Sequence, residues 1–254
     1  MYGNVQARGR MGAAEALARG IPAELTTFVQ KTYSLLAFSL VLGAAACYGM
    51  LQVMPTVQAE TRSGAVVTIP SFPQWGLFLL WGATLGFSLL GSFAKSGARQ
   101  GEFSVLGLVG LVGMVVASGA MLGPTIGMYI GLGMASTVAA AGVITAVTFT
   151  SLTAVVFLTG KNFGFMGKFL FVALIALVVA GFVNAFFVHS ATFNVWYAAI
   201  GAILFCGFIL FDTSSVVHFY GPQNLVIPAV IALYLDIFNL FVLLLSLLGS
   251  RRND

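Results

Sequence analysis

The chain has 254 residues, of which 59% are hydrophobic and only 7% are charged, and its mean hydropathy is +1.03. A soluble domain of this size could not cover its surface with so few charges, so the composition excludes that class and indicates an integral membrane protein. The formal net charge of +4 comes from short loops and tails, where it indicates membrane orientation and not a nucleic-acid-binding patch.

The apolar segments are continuous and about 20 residues long, which is typical of transmembrane helices and not of barrel strands. We predict an all-α fold with seven transmembrane helices in one membrane domain, residues 28–250. A cytoplasmic N-terminal tail, residues 1–27, precedes it, and residues 251–254 form a short C-terminal tail. In chain order, the predicted spans are Thr32–Met54, Trp75–Phe93, Phe103–Leu122, Tyr129 or Gly133 to Leu158, Phe169–Val188, Val195–Val217 and Leu225–Leu248.

The basic residues indicate the orientation of the chain. With the N-terminus inside, seven crossings place eight Lys and Arg residues in the cytoplasm and three outside, which agrees with the positive-inside rule. A six-crossing arrangement with a re-entrant last segment gives ten against one, because Arg251 and Arg252 return inside. The last segment, however, has 24 nearly unbroken apolar residues, and about 20 suffice for a full crossing. We therefore favour seven crossings.

Glycine residues recur at helical spacing in two segments. Gly123, Gly127 and Gly131 form two overlapping GxxxG steps, and Gly82 with Gly86 forms another. Small residues at this spacing let helix backbones approach closely. We expect tight packing within the chain rather than a dimerisation motif.

Two acidic residues interrupt the apolar spans, Asp212 near the end of the sixth and Asp236 within the seventh. A charged carboxylate at mid-bilayer costs a few kcal/mol, so each residue needs a partner or a role. The two spans are joined by a short loop, predicted over His218 to Asn224, and should be antiparallel neighbours. We therefore expect the two carboxyl groups to meet. The alternative is that each Asp stays neutral and bonds to Ser, Thr or Asn of another helix.

Two carboxyl groups in a low-dielectric site cannot both ionise cheaply, so Asp212 and Asp236 should share a proton. Protonated, the pair hydrogen-bonds and holds two helices together; deprotonated, the like charges repel and admit water or a cation. Carboxylate oxygens suit Ca²⁺, and Asn239, one turn beyond Asp236, is a candidate auxiliary ligand. Tyr234 lies on another side of the helix and is not included.

Other polar residues give weaker signals. His189 and His218 lie at opposite ends of the sixth span and cannot jointly bind a metal, and Asn184 is expected to form an interhelical hydrogen bond. Cys47 and Cys206 fall in apolar spans and indicate no disulfide. The sequence has neither an HExxH zinc motif nor a P-loop, so we predict neither enzymatic activity nor a cofactor.

The segments LYLDIFNLF (Leu233 to Phe241) and FILFD (Phe208 to Asp212) resemble the transmembrane Bax inhibitor motif family, in its bacterial branch. The resemblance implies a seven-helix fold in which the last helix is central and surrounded by the other six. It also implies that Asp212 and Asp236 act as the pH sensor of a calcium leak.

In some members of that family a basic residue at the end of the second helix locks onto the Asp pair. Lys95 or Arg99 of this chain would take that place, whereas Ser246 stands where some members carry a basic residue late in the last helix. Other bacterial members resemble regulators of a membrane-anchored protease.

We therefore predict a pH-sensitive calcium leak channel in the bacterial inner membrane, with a cytoplasmic N-terminus. Its partners would be the lipid bilayer and, in the alternative reading, a membrane protease that it modulates without transport. A proton-coupled transporter is a third option, although we find no inverted repeat of interrupted helices.

Overall fold

Seven long helices make up most of the structure, a computed structural model that describes residues 23–60, 64, 66–93, 104–188 and 190–250. Between the first two helices lies an antiparallel hairpin, in which Thr56 pairs with Pro70 and Glu60 with Val66. The elements are α1 (Ala23–Val53), β1 (Thr56–Glu60), β2 (Val66–Pro70), α2 (Gln74–Phe93), α3 (Val105–Gly131), α4 (Ala135–Thr159), α5 (Gly167–Val183), α6 (Ala191–Ser215) and α7 (Val226–Ser250).

The outer surface of the bundle is apolar. Seven helices are long and apolar enough to cross a membrane, and large side chains such as Leu158, Phe165 and Phe187 are about 80% exposed. A water-soluble protein rarely leaves so much apolar surface uncovered, whereas a lipid bilayer covers it. The prediction of an all-α membrane protein with seven transmembrane helices is confirmed.

Local sequence explains where several helices begin and end. The Ser104 side chain accepts a hydrogen bond from the Gly107 N–H at the start of α3, and Ser190 accepts one from the Phe193 N–H at the start of α6. Gly160 ends α4 with φ of 61°, a left-handed conformation that glycine adopts without a steric penalty.

Helices α6 and α7 carry most of the buried core. Helix α7 packs against α6 most extensively and also contacts α1, α2, α3 and α4. Its residues join two hydrophobic clusters, one with α1 and α3 around Val230 and Leu233, and one with α5 and α6 around Leu240 and Leu243. Broad contacts thus link α7 to five helices, and its predicted enclosure by all six stays a prediction.

Helix α1 begins at Ala23, nine residues before the predicted span and inside the segment predicted as a tail. Its first turns carry polar residues, which lower the local hydropathy, and hydropathy therefore predicts a later start for the span. Leu25 and Phe28 nevertheless pack beside Gly221, after the end of α6, and Phe28 is buried. Tertiary contact therefore extends the helix beyond the span that hydropathy alone defines.

Helix α3 continues past its predicted end at Leu122 to Gly131, with Pro124 inside it. Side chains at Gly123 and Gly131 would collide with Met50 of α1 and with the Thr68 carbonyl of the hairpin. The expected tight packing is therefore present at this glycine series. It is wrong for Gly82 and Gly86, where an added Cβ would meet nothing within 4 Å.

The connection between α6 and α7 is helical and not a loop. A π-helical turn, Val216–Tyr220, continues α6, and a 3-10 turn, Gly221–Gln223, follows it. Asn224 then reverses the chain with φ of 53°. His218, predicted in a loop, therefore lies on the continuation of α6, and its Nδ1 is 2.9 Å from the Ser214 carbonyl oxygen.

Candidate functional site

A pair of buried carboxyl groups lies where α6 and α7 pack together. Asp212 is 8% exposed and Asp236 is 3% exposed, and their side chains are within hydrogen-bonding reach of each other. The structure therefore brings together the two residues that the sequence singled out. The role of the pair as a pH sensor and cation ligand stays a prediction.

The immediate surroundings of the pair offer it few donors. Within the described chain, Asp236 Oδ2 is buried and receives a hydrogen bond from no amide or hydroxyl group. A carboxylate buried without a donor is costly, and two facing carboxylates would also repel. A proton held between two such groups would remove one charge and supply a donor.

Two serines that lie shortly after Asp212 have hydroxyl groups bonded to their own helix. Ser214 Oγ and Ser215 Oγ both donate to the Phe211 carbonyl oxygen at 2.9 Å. Ser214 Oγ also accepts from the Phe163 N–H at 3.1 Å, which ties the start of the α5 region to α6. These serines therefore use their donor hydrogens on the backbone near Asp212 and have none left to donate to a ligand.

Tyr220 is a site residue that the sequence analysis missed. It ends the π-helical turn eight residues after Asp212, and its hydroxyl lies in electrostatic range of both carboxyl groups. It also lines a cavity of about 400 Å³ with Ser88 and Ser92 of α2. Hydropathy predicts a loop at this turn, whereas helical periodicity continued beyond Val217 places Tyr220 about two turns after Asp212.

The two other polar residues considered on α7 bond elsewhere. Asn239 Nδ2 donates to the Leu235 carbonyl oxygen at 2.7 Å on its own helix, and its predicted role as an auxiliary ligand stays a prediction. The Tyr234 hydroxyl is 2.9 Å from Ser118 Oγ of α3. Tyr234 therefore belongs to the α3–α7 contact, in agreement with its exclusion from the site.

The predicted basic lock, Lys95 or Arg99, lies outside the described residues, as does His189. In the described part of the chain, no lysine interacts with either carboxyl group. The group within hydrogen-bonding reach of each of them is the other carboxyl. Asn184 forms the expected interhelical hydrogen bond, since its Nδ2 donates to Asn194 Oδ1 of α6 at 2.6 Å. Its Oδ1 accepts from the Ser190 N–H at 3.1 Å.

The acidic residues available to a cation are few. Among the described residues, no three His, Cys, Asp or Glu side chains come together as a metal site. The pair thus provides two carboxyl groups, a small part of the six to eight oxygens that Ca²⁺ takes. Such a site suits a transient, largely hydrated cation better than a tightly held one.

Two cavities are lined in part by residues of α2 and α7. The first is the cavity beside Tyr220, which Ile231 and Leu235 of α7 also line. The second, about 780 Å³, lies toward the other end of the bundle and is lined mostly by α2, α3, α5 and α6, with Val242 and Leu245 from α7. Leu235 and Val242 are seven positions apart, which is roughly 10 Å along a helix at 1.5 Å per residue.

The fold and the site together define a class, a seven-helix membrane protein with a buried carboxyl pair on its last two helices. Residues 25–253 match the family model described as "Inhibitor of apoptosis-promoting Bax1". The chain therefore belongs to the Bax inhibitor-1 family, and the family resemblance of its sequence is confirmed.

Relatives from several organisms support this membership. The chain is 33% identical to the protein Cj0236c of Campylobacter jejuni, over 89% of this chain and 90% of that protein. It is 30% identical to the modulator of FtsH protease YccA of Escherichia coli, over 82% of this chain and 89% of the relative. It is 37% identical to Bax inhibitor 1 of Schizosaccharomyces pombe, over 53% of this chain and 50% of the yeast protein.

Proposed function

We propose that this protein is a pH-sensitive calcium leak, gated by one proton shared between Asp212 and Asp236. The observation that carries the proposal is the contact between the two carboxyl groups inside the bundle. The shared proton holds α6 against α7. Loss of the proton leaves two like charges in a low-dielectric site, which repel each other and attract water and a cation.

The cavities support a route through the bundle. Each lies against α2 and α7, and only about 10 Å of α7 separates their lining residues. Separation of α6 from α7 would change how α7 packs in the region between the two cavities. Two carboxylates then supply part of the coordination shell and water the rest, so the cation passes without being trapped.

Calcium flux into liposomes that contain the purified protein tests this proposal. The sign follows from the proton: the shared proton is retained at the acid end and lost as the pH rises. If the shared proton is released between pH 6 and pH 8, the fraction of molecules that have lost it rises roughly tenfold over this range. The flux follows that fraction and should be roughly tenfold larger at pH 8. Flux equal to that of protein-free liposomes at both pH values would contradict the proposal.

We propose a second function, modulation of a membrane-anchored protease, which the similarity to YccA over most of both chains favours. The N-terminal segment, cytoplasmic in the predicted orientation, is the simplest determinant to remove. We expect deletion of residues 2–20 to abolish co-purification of an FtsH-type protease after cross-linking in the native membrane, while calcium flux persists. Failure of the full-length chain to capture the protease would refute this function and leave the leak untouched.

A further inference from the structure

A second group of buried polar atoms lies where α1, α4 and α6 converge. The Tyr33 hydroxyl of α1 is within hydrogen-bonding reach of Thr153 of α4 and Thr213 of α6. Thr213 directly follows Asp212 and has no exposed surface. In the described chain, however, none of these three oxygens makes a well-directed hydrogen bond to any protein group. We call these three hydroxyl groups the hydroxyl cluster.

This lack of partners is unusual for hydroxyl groups in this bundle. On the same helix as Thr153, Thr145 Oγ1 donates to the Ala141 carbonyl oxygen at 2.7 Å, and Thr150 Oγ1 donates to the Ala146 carbonyl oxygen at 2.8 Å. Bonding of this kind to the preceding turn is the ordinary way in which a helical threonine satisfies its hydroxyl. Thr153 and Thr213 do not use it.

Buried polar groups in folded proteins almost always have a partner, because an unpaired one keeps its desolvation penalty. Buried water supplies such partners, and one molecule commonly bonds to about three otherwise unsatisfied groups. The hydroxyl cluster offers this number of groups. Each hydroxyl can both donate and accept, so a water molecule fits the cluster in more than one orientation.

The hydroxyl cluster lies beside a loosely packed part of the bundle. In the described part of the chain, α1 and α4 pack against each other only sparsely, and an apolar cavity of about 610 Å³ lies between them. Phe149 and Thr150 of α4 line that cavity, and Thr153 follows one turn later. Beside the cluster, the rings of Tyr33 and Phe157 are 6.0 Å apart. The cluster therefore lies on the seam where these two helices meet.

We propose that the hydroxyl cluster is a water-binding site, which joins α1, α4 and α6 next to Asp212. Bound water completes the hydrogen bonds of Tyr33, Thr153 and Thr213 and closes the seam between α1 and α4. The site is distinct from the carboxyl pair. The water-binding proposal does not depend on calcium transport, so its test is independent of the proposed leak.

The sign of a stability change tests the proposal. Valine matches threonine in shape, so Thr153→Val and Thr213→Val remove a hydroxyl and little else. If water is bound, each variant leaves that water short of a partner, and we expect the Tm of the full-length protein in detergent to fall by roughly 2–4 °C. Thr145→Val is the matched control, buried on α4 but bonded to its own helix, and should change the Tm little.

Cluster variants as stable as the wild type, or more stable, would overturn the proposal, because removal of an unliganded buried hydroxyl relieves its desolvation cost. A direct measurement is NMR magnetisation transfer from water to the labelled methyl groups of threonine. We expect transfer to Thr153 that disappears in Thr213→Val. Transfer to the exposed Thr159 with none to Thr153 or Thr213 in the wild type would also overturn the proposal.

Discussion

Asp236→Asn should abolish the pH dependence of calcium flux between pH 6 and pH 8 and hold the flux near its low, acidic value. The asparagine amide can donate to Asp212 at any pH, as the shared proton does in the wild type, so α6 and α7 stay together. The roughly tenfold difference in flux should shrink to within the error of the assay. The measurement is calcium entry into liposomes at both pH values, with equal protein per vesicle.

Asn239→Ala is the matched control for that variant. Asn239 lies one turn from Asp236 on the same helix, and its amide nitrogen bonds to the Leu235 carbonyl. Its removal should leave the pH profile in place, whereas Asp212→Asn should reproduce the effect of Asp236→Asn. An unchanged pH profile in both Asp variants would remove the pair from the gate.

The second large effect concerns the contact between α2 and α3. A Cβ at Gly110 would run into the backbone nitrogen of Gly91, would lie 2.6 Å from its Cα, and would lie 2.8 Å from the Phe87 carbonyl oxygen. These are backbone atoms, so no side chain can rotate away. We expect Gly110→Ala to destabilise the bundle by at least 1–3 kcal/mol, about the usual cost of overpacking, with a Tm lower by several degrees.

Gly82→Ala is the control, because we do not expect it to destabilise the bundle as Gly110→Ala does. Gly82 is exposed on α2, and an added Cβ meets nothing within 4 Å. Alanine favours the helix over glycine by up to about 1 kcal/mol, so this variant should be as stable as the wild type or more stable. If Gly110→Ala and Gly82→Ala had the same Tm, close backbone contact would not be what joins α2 to α3.

The sequence predicts the number and class of the helices well, because lipid contact imposes long apolar segments. It predicts their ends less well. Phe28 becomes part of α1 through contact with the chain beyond α6, and helix α3 runs through Pro124 because its glycines fit against α1 and the hairpin. Hydropathy is a property of each segment alone and contains no information on such contacts.

The carboxyl pair is predictable because acidic residues are rare inside apolar spans and because these two lie on consecutive helices. Asp212 and Asp236 are the acidic residues inside the predicted spans, and the short connection forces α6 and α7 together. Tyr220 and the hydroxyl cluster are not predictable in this way. Tyr220 depends on an unforeseen helical turn, and Tyr33, Thr153 and Thr213 come from three helices whose relative rotation no local pattern defines.

Infrared difference spectroscopy of the Asp carboxyl groups tests the shared proton most directly. The chain has three Asp residues, Asp212, Asp236 and the last residue Asp254, so isotope-labelled aspartate reports on very few groups. We predict a protonated carboxyl band that is present at pH 6, is lost by pH 8, shifts with the label and is missing in Asp236→Asn. A wild-type spectrum with no protonated Asp band at pH 6 would contradict the shared proton and, with it, the proposed gate.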